Sequence, residues 1–133
     1  MNSLQAQITE IQSTKQLSLV TLQSERIYLK SIVIDTPDSC GYLVVGKTIN
    51  VIFKEMEVSI ATENNLPMSQ QNEIPGEIIS LEKKELLAKI RLKTKVGEIT
   101  SVITSASAER LKLSKGLQVY ALIKTNELML SLG

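Results

Sequence analysis

Sliding this chain against itself by seventy residues aligns positions 2–61 with 72–131 without a gap, and that internal repeat constrains the fold more than any other feature. Nine of the aligned pairs are identical: Asn2 with Asn72, Ile8 with Ile78, Leu17 with Leu87, Leu22 with Leu92, Ser31 with Ser101, Leu43 with Leu113, Gly46 with Gly116, Lys54 with Lys124, and Glu57 with Glu127. Apolar character is kept at many others, including Leu4 with Ile74, Val20 with Ile90, Leu29 with Ile99, Ile52 with Leu122 and Val58 with Leu128. A one-residue slip in a strand exchanges its two faces, so a register shared over a whole unit predicts a shared fold. The chain divides into units at residues 1–63 and 68–133, joined by a polar linker, TENNLP, at 62–67.

Each unit reads as a run of short strands. Leu17-Ser18-Leu19-Val20-Thr21-Leu22 alternates, and the apolar residues are mainly Ile, Leu and Val, with one Phe, three Tyr and no Trp. In the second unit strands are expected over about 76–81, 86–93, 98–104, 117–124 and 127–132, with a helical turn near 107–112. The matching helical turn of the first unit is expected at Asp35-Thr36-Pro37-Asp38, where Thr36 can cap and Pro37 suits the first helical position. Five strands and one helical turn fit a small barrel of the oligonucleotide-binding type, since closure removes exposed edges. The predicted class is therefore all-β, two tandem five-stranded barrels. About sixty residues make little core, so units are expected to associate.

Composition removes several function classes. There is no histidine and a single cysteine, Cys40, so neither an intramolecular disulfide nor a usual zinc site can be built. Acid–base chemistry would need convergent carboxylates or a perturbed lysine, and no such set is evident; an enzyme is not expected. The phosphate-binding G-x-x-x-x-G-K-[ST] loop is missing. Fifteen basic and fourteen acidic residues give a net charge of +1 without long runs of either sign, so neither nucleic acid nor a membrane surface is an expected partner. Leader and transmembrane patterns are absent from the sequence as given, and the reading is cytoplasmic.

Ser69-Gln70-Gln71-Asn72-Glu73-Ile74-Pro75-Gly76 resembles the opening S-A-R-N-x-L-x-G of the molybdate-binding Mop or TOBE module. The segment ITSVITSASAERLKLSKGLQVYALIKTNELMLS resembles the second half of that module, with its T-x-I-T stretch, a short helix ending in L-x-L-x-x-G and a final strand pair. The first unit resembles it more faintly, through Asn2, the turn from Leu43 to Gly46, and Phe53-Lys54-Glu55-Met56-Glu57-Val58-Ser59-Ile60. Two such modules in tandem are similar to the di-Mop molbindins and to the C-terminal effector half of molybdate-responsive transcription regulators.

The resemblance implies binding of a tetrahedral oxyanion, molybdate or tungstate, without an organic cofactor, for storage, homeostasis or sensing. It also implies sites between modules of a homo-oligomer, a dimer or trimer of tandem chains. The family's binding positions fall on Ser69, Gln71, Thr104, Ser107 and Lys124, with Asn72, Thr125 and Lys54 as weaker or mixed contributors. Hydroxyls and free N–H groups at a helix start suit a dianion, and Lys124 adds formal charge. The family's arginine is Gln71 here, which keeps a donor and loses charge. In the first unit the Thr and Ser positions become Ile34 and Pro37, and Lys54 remains, so a degraded site or a scaffold is expected there, or a mixed pocket of Ser69 with Lys54.

Two other readings stand beside this one. Thr104 and Ser107 can serve only as caps, Lys124 as a surface strand lysine, and the modules only for oligomerisation or interaction. A barrel of this kind can also bind single-stranded nucleic acid, although Tyr28, Tyr42, Tyr120 and Phe53 do not cluster among arginines.

Overall fold

The computed structural model describes residues 1–132. The fold is all-β. Ten strands run in the order β1 (Asn2–Ser13), β2 (Ser18–Ser24), β3 (Ile27–Val33), β4 (Thr48–Phe53), β5 (Ser59–Ala61), β6 (Asn72–Lys83), β7 (Leu87–Thr94), β8 (Gly97–Thr104), β9 (Gln118–Ile123) and β10 (Met129–Ser131). One α-helix, α1 (Ser105–Arg110), follows β8, and a 3-10 turn spans Glu55–Glu57.

The strands form two five-stranded antiparallel sheets, ordered β10-β4-β1-β2-β3 and β5-β9-β6-β7-β8. Each sheet therefore takes its outermost short strand from the other unit: β5 pairs with β9 and β10 with β4. The repeat predicted the number and order of strands but not this exchange. Nothing in a sequence period says whether a final strand folds back on its own unit or onto the neighbouring copy.

Pseudo-twofold symmetry extends to side-chain bonds. The Ser31 hydroxyl donates to the Leu128 carbonyl at 2.8 Å, and the Ser101 hydroxyl to the Val58 carbonyl at 2.7 Å. Both serines are fully buried, so each bond joins a strand of one unit to the exchanged end of the other where water cannot substitute. Asn2 and Asn72 add a second matched pair: each amide exchanges two hydrogen bonds with the backbone of one residue, Thr100 and Lys30 respectively. Two of the nine identities, Asn2 with Asn72 and Ser31 with Ser101, are thus contacts between units.

The core is aliphatic. Inward positions alternate along each strand, as in Asn2, Leu4, Ala6 and Ile8 of β1 and Asn72, Ile74, Gly76 and Ile78 of β6. Both long strands carry an irregularity at matched places, between Ile8 and Glu10 and between Ile78 and Ser80, where the ladder with the next strand shifts register. Just there, Gly46 and Gly116 donate to the Ile8 and Ile78 carbonyls at 2.7 and 2.8 Å. Both glycines hold positive φ, 96° and 91°, a conformation in which a side chain is strained.

The expected helical turn of the first unit is not a helix. Pro37–Ser39 form a turn in which the Thr36 carbonyl accepts from Ser39 and Cys40 N–H at 3.0 and 2.9 Å. The Ser39 hydroxyl accepts the Thr36 N–H at 2.9 Å, and the turn goes no further where Asp38, Ser39 and Gly41 stand in place of Ala108, Glu109 and Leu111, which are better helix formers. Thr36 acts there through its backbone rather than as a cap.

Candidate functional site

α1 begins where β8 ends, and its start is fixed on three sides. Ser105 donates its N–H to the Leu86 carbonyl at 2.8 Å and its hydroxyl to the Lys84 carbonyl at 2.7 Å, tying the helix to the β6–β7 turn. Thr104, in extended conformation, caps the helix by accepting the Ser107 N–H at 3.1 Å. The Thr104 hydroxyl in turn donates to Ser107 Oγ at 2.9 Å. The Ser107 hydroxyl hydrogen is thereby left to point elsewhere, and the Ala106 N–H has no acceptor among the described residues. Thr104 is exposed and Ser107 half-buried, so this is a small cluster of donors at the solvent boundary.

The remaining predicted residues lie elsewhere. Ser69 and Gln71 are exposed and immediately precede β6, and Lys124, also exposed, immediately follows β9. Asn72 pairs with Ile123 across this ladder, so the next positions outward, Gln71 and Lys124, are neighbours at its end. Thr104 pairs with Leu87, past the point where Lys83 pairs with Ala88. One cluster therefore sits at the start of the twelve-residue strand β6 and the other beyond its finish. Within one unit the structure brings together Gln71 with Lys124 and Thr104 with Ser107, and keeps the two pairs apart.

Strand exchange decides what each cluster meets inside the chain. Asn72 clamps Lys30, and the Thr125 carbonyl accepts the Ile32 N–H at 3.0 Å, so the Ser69–Gln71–Lys124 end lies against β3 of the first unit. β3 leads on to Ile34 and Pro37, which offer no side-chain donor. Conversely, the Glu55–Glu57 turn, which follows Lys54, packs against β8, the strand that leads to Thr104. Lys54 is thus on the Thr104 side rather than the Ser69 side. The Asn72 amide, expected as a weaker contributor, is fully buried and spends its oxygen and an N–H on Lys30. Thr125 is half-buried and engaged through its carbonyl.

Three further features shape these ends of the strands. The Met1 ammonium pairs with Glu55 at 2.8 Å, and this contact holds the Glu55 carboxyl below the usual carboxylate range. Glu57 accepts the Lys54 N–H at 3.0 Å and closes the turn after β4. In the opening motif, Gln70 Oε1 is buried without a donor among the described residues, an unmet polar group inside the segment that the resemblance singles out. Among the described residues no group of three or more His, Cys, Asp or Glu is placed to hold a metal ion, and no helix is long and apolar enough to cross a membrane.

Comparison with known proteins bears on the fold and on the second unit. Residues 68–130 match the TOBE domain family. The chain is 30% identical over 123 residues to the molybdenum import ATP-binding protein ModC of Rhizobium etli, covering 92% of this chain and 32% of that protein. It is 27% identical over 90 residues to the molybdenum transport protein ModE of Azotobacter vinelandii, covering 67% of this chain and 33% of that protein. The chain thus spans about a third of the length of these curated relatives. In three dimensions it superposes on the cytoplasmic molybdate-binding protein ModG, solved with molybdate bound, with a TM-score of 0.91 over 99% of this chain and 96% of that one, at 22% identity.

Proposed function

From the premise that this chain carries a TOBE domain over residues 68–130 on a fold shared with ModG, we propose that it binds a tetrahedral oxyanion, molybdate or tungstate. The protein is a binding module and not an enzyme. The observation that carries the reading is the Thr104–Ser107 pair, whose mutual hydrogen bonds leave a hydroxyl hydrogen and the Ala106 N–H as unspent donors at a helix start. Such donors stabilise a dianion without full countercharge, and charge-assisted bonds contribute roughly 1.5–3 kcal/mol each.

A complete donor set needs both ends of β6, and one chain does not supply it in one place. The end of β6 that carries Ser69, Gln71 and Lys124 lies against β3, whose continuation has Ile34 and Pro37 where the second unit has Thr104 and Ser107, so the Thr104–Ser107 end of a second unit from another chain completes the set. Binding is therefore assigned to sites between modules of a homo-oligomer, in a cytoplasmic protein that stores, buffers or senses the anion. Molybdate and tungstate should raise the melting temperature by mass action, and sulfate much less. Equal shifts from all three anions, or none, contradict the proposal.

One observation favours a second reading, a module for interaction alone. Leu17, Ile32 and Ile34 of the first unit are 45%, 42% and 83% exposed, an apolar surface on the unit that lacks the hydroxyl donors. Under that reading self-association persists and the melting temperature ignores the anion.

A further inference from the structure

A groove of about 620 Å³ lies between the units, away from Thr104 and Ser107. Its walls are Arg26 and Ile27 from the β2–β3 turn of the first unit, Pro75 and Glu77 from β6, and Lys93 and Lys95 from the end of β7 and its turn. The walls are fixed relative to one another. Asn72 holds β3 at Lys30, three residues from Ile27, and the Thr94 hydroxyl donates to the Gly97 carbonyl at 2.6 Å to close the turn carrying Lys95. Gly76 lets β6 approach this turn, since a Cβ there would stand 3.0 Å from Thr94 Cγ2 and 3.2 Å from the Lys93 carbonyl.

Three cations, Arg26, Lys93 and Lys95, face one carboxylate, Glu77, a net charge of +2 (three minus one). None of the three cations is in an ion pair among the described residues. The pseudo-twofold axis supplies an internal control. The positions equivalent to Arg26, Lys93 and Lys95 are Val96, Gln23 and Glu25, so the charge belongs to one groove and not to the repeat. In the first unit the Gln23 amide is spent on the Glu25 carbonyl at 3.1 Å.

The volume lies in the range of small-molecule sites and far exceeds what one tetrahedral oxyanion fills. Arginine with two lysines suits phosphate oxygens, which take several donors at once. Ile27 and Pro75 provide an apolar wall beside the charge. A nucleic-acid strand would need a longer basic track and aromatic platforms, and none lines this groove. We propose that the groove binds an organic polyphosphate of the nucleotide class, its phosphates on Arg26, Lys93 and Lys95 and its uncharged body against Ile27 and Pro75.

The test is titration calorimetry of the whole chain with ATP, inorganic tripolyphosphate, inorganic phosphate and oligothymidylate. ATP should bind more tightly than the other three. The variant carrying Arg26→Gln, Lys93→Gln and Lys95→Gln should weaken ATP binding by about a hundredfold or more, while Lys84→Gln leaves it unchanged. All three substituted side chains are exposed, so melting should be unaffected, and the response to molybdate should persist in the triple variant, which separates this groove from the oxyanion site. No ATP heat, tripolyphosphate or oligothymidylate binding at least as tightly as ATP, or full affinity in a normally melting triple variant would each overturn the proposal.

Discussion

Asn72 takes the Lys30 N–H on its side-chain oxygen at 2.7 Å and returns its own amide N–H to the Lys30 carbonyl at 2.9 Å. The side chain thus reads as a two-sided clamp between β6 of one unit and β3 of the other, and Asn2 repeats it on Thr100 with both distances at 2.8 Å. Replacing Asn72 by alanine strands two backbone groups in a buried place. We expect a loss of about 3 kcal/mol, from two such groups at roughly 1–2 kcal/mol each. Urea denaturation should show the midpoint falling with an unchanged slope. A loss below about 0.5 kcal/mol would mean that water replaces the clamp.

Strand exchange makes a prediction that two self-contained units would not. Met129, Leu130 and Ser131 pair with Ile52, Val51 and Asn50 of β4. Deleting residues 129–133 should therefore accelerate amide exchange across β4 of the first unit by at least about tenfold, with the β5–β9 ladder of the other sheet less affected. Loss of protection confined to the second unit's own sheet would contradict the exchanged pairing.

The pair Arg91 and Glu98 joins neighbouring strands at 2.6 Å, and the guanidinium hydrogen bond holds the Glu98 carboxyl below its ordinary range. A depressed carboxylate contributes stability above its unfolded value and loses it as pH falls through the folded value. Carbon-detected titration should place the Glu98 midpoint below that of a free glutamate, and Arg91→Ala should return it upward. Both groups are at the surface, so the effect on overall stability should be small and salt-sensitive.

What was legible in the sequence follows from what a period encodes. The strands were readable because Ile, Leu and Val alternate in matched register over both copies, and the same comparison isolated Ile34 and Pro37 as the first unit's departures from Thr104 and Ser107. The helix of the second unit was placed slightly late: it starts at Ser105 because Thr104 caps it, while the motif drew attention to Ser107. Its counterpart in the first unit stays a single turn because Asp38, Ser39 and Gly41 replace Ala108, Glu109 and Leu111, a difference in helix propensity that an alignment of apolar positions passes over. The partnership of Asn2 with Thr100 and of Asn72 with Lys30 lay beyond reach, because identity at 2 and 72 marks a shared role without saying that the role is a contact between copies. The groove at Arg26, Lys93 and Lys95 was missed for the opposite reason: its residues are those that the repeat does not share.

The central claim is that hydroxyls and a lysine from different units hold the anion together. It is tested most directly by titrating molybdate into the whole chain in a calorimeter, at concentrations that keep any oligomer assembled, and repeating with Thr104→Ala, Lys124→Ala and the double variant. The account predicts saturable heat for the unsubstituted chain. Each single variant should weaken binding by about tenfold or more, in keeping with one lost charge-assisted bond, and the double variant should abolish it. Thr104→Ala also loses a helix cap worth about 1 kcal/mol, so its melting temperature in the absence of anion must be recorded alongside. Absence of molybdate and tungstate heat from the unsubstituted chain, or unchanged affinity in a folded double variant, would contradict the account.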